Sequence, residues 1–455
     1  MVKIGLEVHG YLQTKEKLFC RCKAARHSKK QDIKPNTNIC PVCTAQPGCK
    51  PMLPNAQAIK KLIQIALLLN CKVNTLENKK KLIWQRKHYD WPDLPKGYQD
   101  TISGSFAIPV GENGKFEGIG IREVHLEEDP AAWNPETGCI DYNRSGLPLV
   151  EIVTEPDFKA EEEIGPWINK LLLTLGYIKA VDKNAGIKAD VNVSTGGERV
   201  EIKNVSSIEN IKNAINYEID RQSKEQVNRE TRRYDETTGK TVLMRTKEQA
   251  EDYRFIPDPD LPVIKLSEKE VKSIKAKLPE TPMQKLEKLI TKHKLNKEEA
   301  EILTKNLELV EFFEAVTEKI DPRFALSWVT VELLRVLNWN KKTLDELEIL
   351  PEHFIELLEA VKNKKITELK AKQILNDFVP RSFSIKSKMK QFETVSGGEV
   401  EKICQQVIKK NTRAVEDYKK GEEKALNFLI GQVMKESKRK ADFNTSKTIL
   451  LKLLK

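Results

Sequence analysis

Val2-Lys3-Ile4-Gly5-Leu6-Glu7-Val8-His9 reads as a strand with two chemically distinct faces. Val2, Ile4, Leu6 and Val8 alternate on one side and Lys3, Gly5, Glu7 and His9 on the other, the period of a half-buried strand. Same-face neighbours on a strand stand about 6–7 Å apart, so Glu7 and His9 can both reach one divalent cation. A second segment repeats the design. Ile119-Gly120-Ile121-Arg122-Glu123-Val124-His125-Leu126-Glu127-Glu128-Asp129 runs as a strand into three consecutive acids. Two strands carrying His and carboxylates suit a site that holds a metal and, through it, a nucleotide phosphate. Either strand alone reads equally well as the wet face of an antiparallel sheet; together they favour the site.

Working outward, Asp190-Val191-Asn192-Val193 and Arg199-Val200-Glu201-Ile202-Lys203-Asn204 alternate again. They read as a hairpin across residues 194–198 that brings Asp190 and Glu201 together. Leu147–Thr154 reads as a buried strand, and Lys81–Trp84 as a further strand. Helices are expected at Pro54–Leu69, Ala160–Leu175 and Ser207–Ser223. The turn Asp141-Tyr142-Asn143-Arg144-Ser145-Gly146 precedes the buried strand, and Arg144 there suits a phosphate, a carboxylate or a surface ion pair. Lys87-His88-Tyr89-Asp90-Trp91-Pro92-Asp93-Leu94-Pro95-Lys96-Gly97-Tyr98 must be a loop, either lining a site or packed as an Ω-loop. Met244-Arg245 and Asp252-Tyr253-Arg254-Phe255 add cationic and aromatic groups. An acid-lined sheet ringed by Lys and Arg matches the needs of ATP with magnesium. No GxxxxGK[ST] loop occurs and Gly118-x-Gly120 is too partial for a dinucleotide fingerprint, so an ATP site here is not of the P-loop kind.

A chain of 455 residues implies two to four domains. It has no run of 18 apolar residues and starts in a strand rather than a signal peptide, so a cytoplasmic protein with no membrane association is expected. After Pro279-Glu280-Thr281-Pro282 the pattern turns helical, with Asn296-Lys297-Glu298-Glu299 as a capping box. Val395-Ser396-Gly397-Gly398-Glu399 reads as a hinge-like linker to a last helical segment. The net charge is +11, and Ser396–Lys455 holds 14 Lys+Arg against 8 Asp+Glu, which suggests a polyanion, RNA foremost, as partner. Cys20-Arg21-Cys22 and Cys40-Pro41-Val42-Cys43 are two close thiol pairs, the spacing of a tetrahedral structural zinc site. Cys49, Cys71, Cys139 and Cys404 are scattered and read as core or incidental thiols.

These segments resemble, in order and over essentially the whole chain, the B subunits of the aspartyl/glutamyl-tRNA amidotransferases. The resemblance is carried by Ile4–His9, Pro35–Cys43, Pro92–Gln99, His125–Asp129, Asp141–Arg144, Asp190–Ser194, Val200–Asn204, Asp252–Phe255, Pro257–Pro262, Ala414–Tyr418 and Gly431–Lys435. Lys188, Trp91 and Ile256 depart from the usual residues, and there is no room for the inserted domain of the related archaeal E subunits. The resemblance implies a multidomain α+β protein. Residues 1–283 would form a glutamine-synthetase-like cradle with the zinc knuckle, 284–394 an all-α helical domain, and 395–455 a small YqeY-like tRNA-binding tail. It implies an ATP-dependent ligase that phosphorylates the side-chain carboxylate of Asp-tRNA(Asn) or Glu-tRNA(Gln). Ammonia from an amidase A subunit, in a heterotrimer with a small C subunit, then gives the amide.

From the strand alternation (Glu7, His9) and the motif match together, catalysis would fall to Glu7, His9, Glu128, Glu201, Lys87 and Tyr89. ATP and substrate would be held by Lys96, Tyr142, Asn143, Arg144, Asp190, Arg245 and Arg254. Magnesium would be bound by Glu7, His9, Glu127, Glu128 and Glu201, and zinc by Cys20, Cys22, Cys40 and Cys43. Lys435, Lys438, Arg439 and Lys440 would meet tRNA. The register at 125–129 stays open: alternation points Glu127 beside His125, the motif match favours Glu128, and a bulge could reconcile them. Two other functions fit the residues: a stand-alone ligase acting on a free amino acid, and a zinc-containing RNA-binding scaffold without catalysis. The basic tail argues against the first, since a small substrate needs none.

Overall fold

The computed structural model describes residues 2–25, 33–89, 91–182, 188–246 and 254–454. Asp90, Asp252 and Tyr253 lie outside the described residues, as does the side chain of Arg245. The chain is mixed α/β and divides into two compact units, Met1–Thr281 and Pro282–Lys455. The break falls inside the Pro-Glu-Thr-Pro segment, where two prolines interrupt regular structure.

The first unit is built on a sheet of twelve strands. In chain order its first half holds β1 (Lys3–Tyr11), β2 (Lys72–Val73), β3 (Gln85–Lys87), β4 (Gln99–Thr101), β5 (Gly111–Phe116) and β6 (Ile119–Glu128). The short β7 (Ala132–Trp133) and β8 (Ile140–Asp141) pair apart from it. The rest is β9 (Pro148–Thr154), β10 (Lys188–Ser194), β11 (Val200–Ser206), β12 (Glu230–Asp235), β13 (Lys240–Thr246) and β14 (Ile256–Pro257). The spatial order is β13-β12-β11-β10-β1-β9-β6-β4-β3-β14, with β2 and β5 extending from β6. All of these pairs are antiparallel except β11–β12.

Ile4, Leu6 and Val8 are buried with Leu62, Ile65, Leu171, Ile211 and Ile215, as the alternation predicts. Those partners come from α1 (Ala56–Leu68), α2 (Ile164–Tyr177) and α3 (Ile208–Lys224), which cover one face of the sheet. Asn55 caps α1 by accepting from the N–H groups of Gln57 and Ala58, and Ser207 caps α3 through Asn210. The last helix of this unit is α4 (Glu268–Ala276). One expected strand moves: pairing begins at Gln85, while Leu82 makes a lone bridge to Ile264 and Trp84 is a core side chain. An apolar run marks burial, but a ladder also needs a partner, and residues 256–257 meet only Gln85 and Arg86.

The second unit is helical: α5 (Pro282–His293), α6 (Lys297–Thr304), α7 (Leu307–Thr317), α8 (Pro322–Ser327), a π-turn at Trp328–Leu333 and α9 (Leu334–Trp339), then α10 (Pro351–Lys362), α11 (Glu368–Asn376) and α12 (Met389–Phe392). The capping box at Asn296 and Glu299 forms as expected. The last helices, α13 (Gly397–Lys410), α14 (Thr412–Lys419), α15 (Glu423–Glu436) and α16 (Phe443–Leu454), close on their own core of Val400, Cys404, Leu429, Val433 and Leu450. Here the hinge expectation is corrected. Ser396 caps α13 in a capping box with Glu399, so Gly397 and Gly398 form its first turn. No helix among the described residues is long and apolar enough to cross a membrane.

Candidate active site

The acids and histidines gather on the sheet face away from those helices, across five neighbouring strands, β11, β10, β1, β9 and β6. Register builds the row. Glu7 stands opposite Asp190, His9 opposite Glu151, and Glu151 opposite His125. Two ligand sets result, His125 with Glu127 and Glu151, and Glu7 with Asp190 and Glu201; in each, one ligand atom per residue lies within 4.8 Å of the others.

In the first set the His125 Nε2 is 3.0 Å from Glu151 Oε2 and 3.6 Å from Glu127 Oε1. Burial disfavours the imidazolium, yet Glu151 and Glu127 hold His125 well above its ordinary range. Burial likewise opposes the Glu127 anion, but Lys87, with its Nζ 3.6 Å away, and His125 keep this carboxyl far below the usual range. In the second set the Lys203 Nζ lies 2.8 Å from Asp190 Oδ2 and 2.6 Å from Glu201 Oε1. A bonded ammonium thus already sits between two carboxylates, a stand-in for a cation. His9 Nε2 is 3.9 Å from Asp190 Oδ2, and Asn192 donates to Glu7 Oε1 at 3.2 Å. Burial, and then the charge of Glu151, push the Glu7 carboxyl up to about 7. Carboxylate-rich donors with one or two imidazoles suit magnesium or manganese better than a soft metal. A pocket of about 180 Å³ opens on this face, lined by Glu7, Lys87, His125, Glu127, Glu151 and Phe255 among others.

Glu128 faces the other way. Simple alternation holds at 125–129, and the irregularity in β6 lies between Ile121 and Glu123 instead. Its carboxylate accepts from the Asp100 N–H at 3.0 Å and pairs with the Lys96 ammonium, which also pairs with Asp100. Glu128 and Lys96 border a separate cavity of about 300 Å³ that also meets Gln99, Asp129 and Cys43. Burial and the neighbouring Glu128 push the Asp100 carboxyl up to about 8 against the pull of Lys96. Gln99 joins the two sides, donating from Nε2 to Glu127 Oε2 at 3.1 Å and to the Glu128 carbonyl at 2.8 Å.

The remaining expected residues are dispersed. Tyr89 is half-buried near Lys87, Asp93 and Glu127, and burial pushes its phenol far up. Arg144 Nε donates to the Pro130 carbonyl at 2.9 Å and lies 3.4 Å from Asp129, whose carboxylate also accepts from Tyr11 at 2.7 Å. Asn143 is buried, accepts at Oδ1 from the Thr37 and Asn38 N–H groups at 2.9 and 2.8 Å, and donates to the Lys34 carbonyl at 2.9 Å. The Tyr142 N–H donates to Asn36 at 2.7 Å. Tyr142 and Asn143 therefore fasten the cysteine loop to the 140–146 turn. Arg254 is exposed with φ of 40°, next to Phe255 at the pocket. Arg245 lies on β13, opposite Thr231. Sequence reading missed Glu151, and the signal was there: one acid within the apolar run Leu147–Thr154.

Cys20, Cys22, Cys40 and Cys43 come together with their sulfurs within 4.8 Å of one another. The Cys40 N–H donates to Cys43 Sγ at 3.3 Å, and the buried Lys17 Nζ lies 3.5 Å from it. A hydrogen bond from Cys20 and the Lys17 charge, against burial, bring the Cys43 thiol down to about 5. Burial pushes Cys22 up to about 11. Four gathered sulfurs, with amide and ammonium support at Cys43, fit a structural zinc ion.

Comparison with known proteins identifies the family. Residues 2–272 match the model of the GatB/GatE catalytic domain, and residues 311–454 that of the GatB domain. The chain is 44% identical over 452 residues to the aspartyl/glutamyl-tRNA(Asn/Gln) amidotransferase B subunit of Methanothermobacter thermautotrophicus, covering 97% of each. It is 43% identical to the B subunit of Methanopyrus kandleri (97% of this chain, 96% of that one) and 41% to that of Methanocaldococcus jannaschii (97% and 95%).

Proposed function

The chain belongs to the family of aspartyl/glutamyl-tRNA(Asn/Gln) amidotransferase B subunits, glutamine-dependent carbon–nitrogen ligases, and from that premise we propose that its acidic sheet face activates a misacylated tRNA with ATP. The observation that carries the reading is the pair of ligand sets, His125-Glu127-Glu151 and Glu7-Asp190-Glu201, in one row across five strands. Magnesium held by these residues would neutralise the ATP phosphates and align the γ-phosphoryl group with the substrate carboxylate. Family membership implies ATP use.

In the reaction, an oxygen of the Asp or Glu side chain of Asp-tRNA(Asn) or Glu-tRNA(Gln) bonds to the γ-phosphorus and ADP departs. Ammonia then attacks the acyl carbon, the C–N bond forms, and phosphate leaves with the electron pair. Lys87, 3.6 Å from Glu127, would neutralise charge growing on the phosphoryl oxygens. His9 and Tyr89 flank the same acids. The attacking nitrogen must also lose a proton. We assign that to the far side of β6, where Lys96 and Glu128 border their own cavity and Gln99 links it to Glu127. Glu128 is in this reading a proton acceptor for the incoming amine rather than a metal ligand.

We read residues 1–283 as a glutamine-synthetase-like cradle, 284–394 as a helical domain and 395–455 as the tRNA-binding tail. The partners are an amidase A subunit and a small C subunit, assembled in the cytoplasm, and zinc at the four cysteines is structural. ATP turnover by the chain with its amidase partner tests the whole reading, each misacylated tRNA being supplied in turn. Phosphate release is expected only with a misacylated tRNA. Equal release with free aspartate or glutamate would make it a stand-alone ligase, and none with either would leave an RNA-binding scaffold.

A further inference from the structure

Little regular structure holds the chain between β1 and α1. Among the described residues from 12 to 55 there is no helix or strand, only lone bridges from Leu12 to Val181 and from Glu16 to Lys23. Leu12, Leu18 and Phe19 join the core of the first unit, but no described residue from 33 to 53 does. A stretch this long needs another source of order, and four thiolates around one zinc ion supply it.

The same stretch is one side of a cavity. The space of about 300 Å³ that meets Lys96 and Glu128 is walled on its other side by Cys20, Cys43, Gln46 and Pro47, so two of the four sulfur ligands belong to residues that line it. Phe19, next to Cys20, seats the Lys96 ammonium 5.2 Å from the centre of its ring and meets Trp84 edge-on at 5.1 Å. Ser145, also in the wall, donates from Oγ to the Cys43 carbonyl at 2.7 Å.

Lys17 joins the two sides. It is buried, 1% exposed, and its ammonium has two partners, Cys43 Sγ at 3.5 Å and the Tyr142 carbonyl at 3.0 Å. Among the described residues no carboxylate forms an ion pair with it. A buried ammonium without a carboxylate needs another anion. Four thiolates exceed the charge of one zinc ion, and the loaded cluster is that anion.

We propose that the zinc site, charge-balanced by Lys17, holds the wall of the amination cavity, so that the metal governs how much of the activated carboxylate receives ammonia without governing its phosphorylation. This rests on the reading of the far side of β6 as the place where the amine is received. The acidic row lies on the opposite face, and neither its ligand sets nor its pocket includes a residue from 12 to 55. With the metal gone, Lys17 loses its counter-charge and the cysteine side of the cavity loosens. Water then enters and ammonia escapes. Water attacks the activated acyl carbon in place of ammonia, phosphate leaves, and the carboxylate is regenerated.

The test compares the wild-type chain with Lys17→Met, each in complex with its amidase partner and supplied with glutamine, ATP and misacylated tRNA. The variant keeps the length of the side chain and removes its charge. Zinc release to a chromophoric chelator is expected to be about ten- to a hundredfold faster, the usual effect of removing a group that supports a metal ligand. Phosphate release is expected to persist while amide formed per phosphate falls severalfold and glutamate accumulates in excess of amide. A lysine that only supports the fold would lower phosphate and amide together and leave their ratio unchanged. Lys17→Arg, which keeps the charge, is expected to recover both zinc retention and the ratio. If Lys17→Met does not fold, chelator treatment of the wild-type complex makes the same comparison, with amide per phosphate expected to fall as zinc leaves. A wild-type rate of zinc release in Lys17→Met, or a constant ratio after zinc is removed, would overturn the proposal. A wild-type complex that releases no phosphate with any misacylated tRNA would instead overturn the functional reading beneath it.

Discussion

Glu151 shows how a lone residue can be decisive and still escape notice. It lies in β9 between Leu149 and Val153 on its own face, so an apolar run conceals it. Glu7, His9, Asp190 and Glu201 were legible because their strands alternate cleanly, and Glu127 because alternation from His125 points to it. Glu128 was misplaced because a matching motif preserves identity and carries no orientation. Glu151→Gln should reduce tRNA-dependent ATP turnover by a hundredfold or more, about the loss of a preorganised charged group, and weaken manganese binding measured by calorimetry. Unchanged manganese affinity would remove Glu151 from the site. Glu7 gives a pH signature. Its folded value, about 7, is above the ordinary 4.5, so the metal-free folded state holds this proton more tightly than the unfolded chain does. The stability it contributes is full below about 4.5 and is lost as pH rises through about 7, ~3 kcal/mol in all. In magnesium-free buffer, urea midpoints for the wild type should fall between pH 5 and pH 8 more than those of Glu7→Gln. Parallel pH curves would count against it.

At the scale of elements, the sequence signalled what depends on local pattern and missed what depends on a partner. The capping boxes at Asn296 and Ser396 are local; the second was read as a hinge because two glycines outweighed the Ser-x-x-Glu signal. Replacing Gly397 and Gly398 with alanine decides between the two, since an added Cβ meets nothing within 4 Å at either position. In a helical first turn the change should raise stability by a few tenths to about 1 kcal/mol per residue; a lower melting temperature would restore the hinge. The hairpin β12–β13 went unread, because Thr231-Arg232-Arg233-Tyr234 is too charged to resemble a strand. Arg232 is neutralised from α3, lying 3.2 Å from the buried Glu218. The cysteine loop is held by Asn143, so Asn143→Ala should cost about 1–3 kcal/mol and speed zinc loss to a chelator. Zinc retention like that of the wild type would show the loop to be held by the metal alone.

For the whole molecule, the division near residue 281 was readable from its prolines, and the helical character beyond it from periodicity. Strand order was not readable. β1 lies between β9 and β10, more than a hundred residues later in the chain, and only burial of the alternating face brings them together. On the proposed reading the ammonia comes from the amidase partner. With misacylated tRNA and ATP, the isolated chain should form amide from ammonium salts and none from glutamine; glutamine-dependent amide formation by the chain alone would contradict this.

Lys203 gives the molecule one further property. Its ammonium occupies the space between Asp190 and Glu201, so on the proposed reading an arriving ion would have to displace a tethered rival that never diffuses away. Such a rival weakens apparent affinity without altering the ligands, and it keeps the anionic strands from repelling one another between turnovers. The enzyme would thus behave as a gauge of free magnesium, idle when the ion is scarce and intact while it waits.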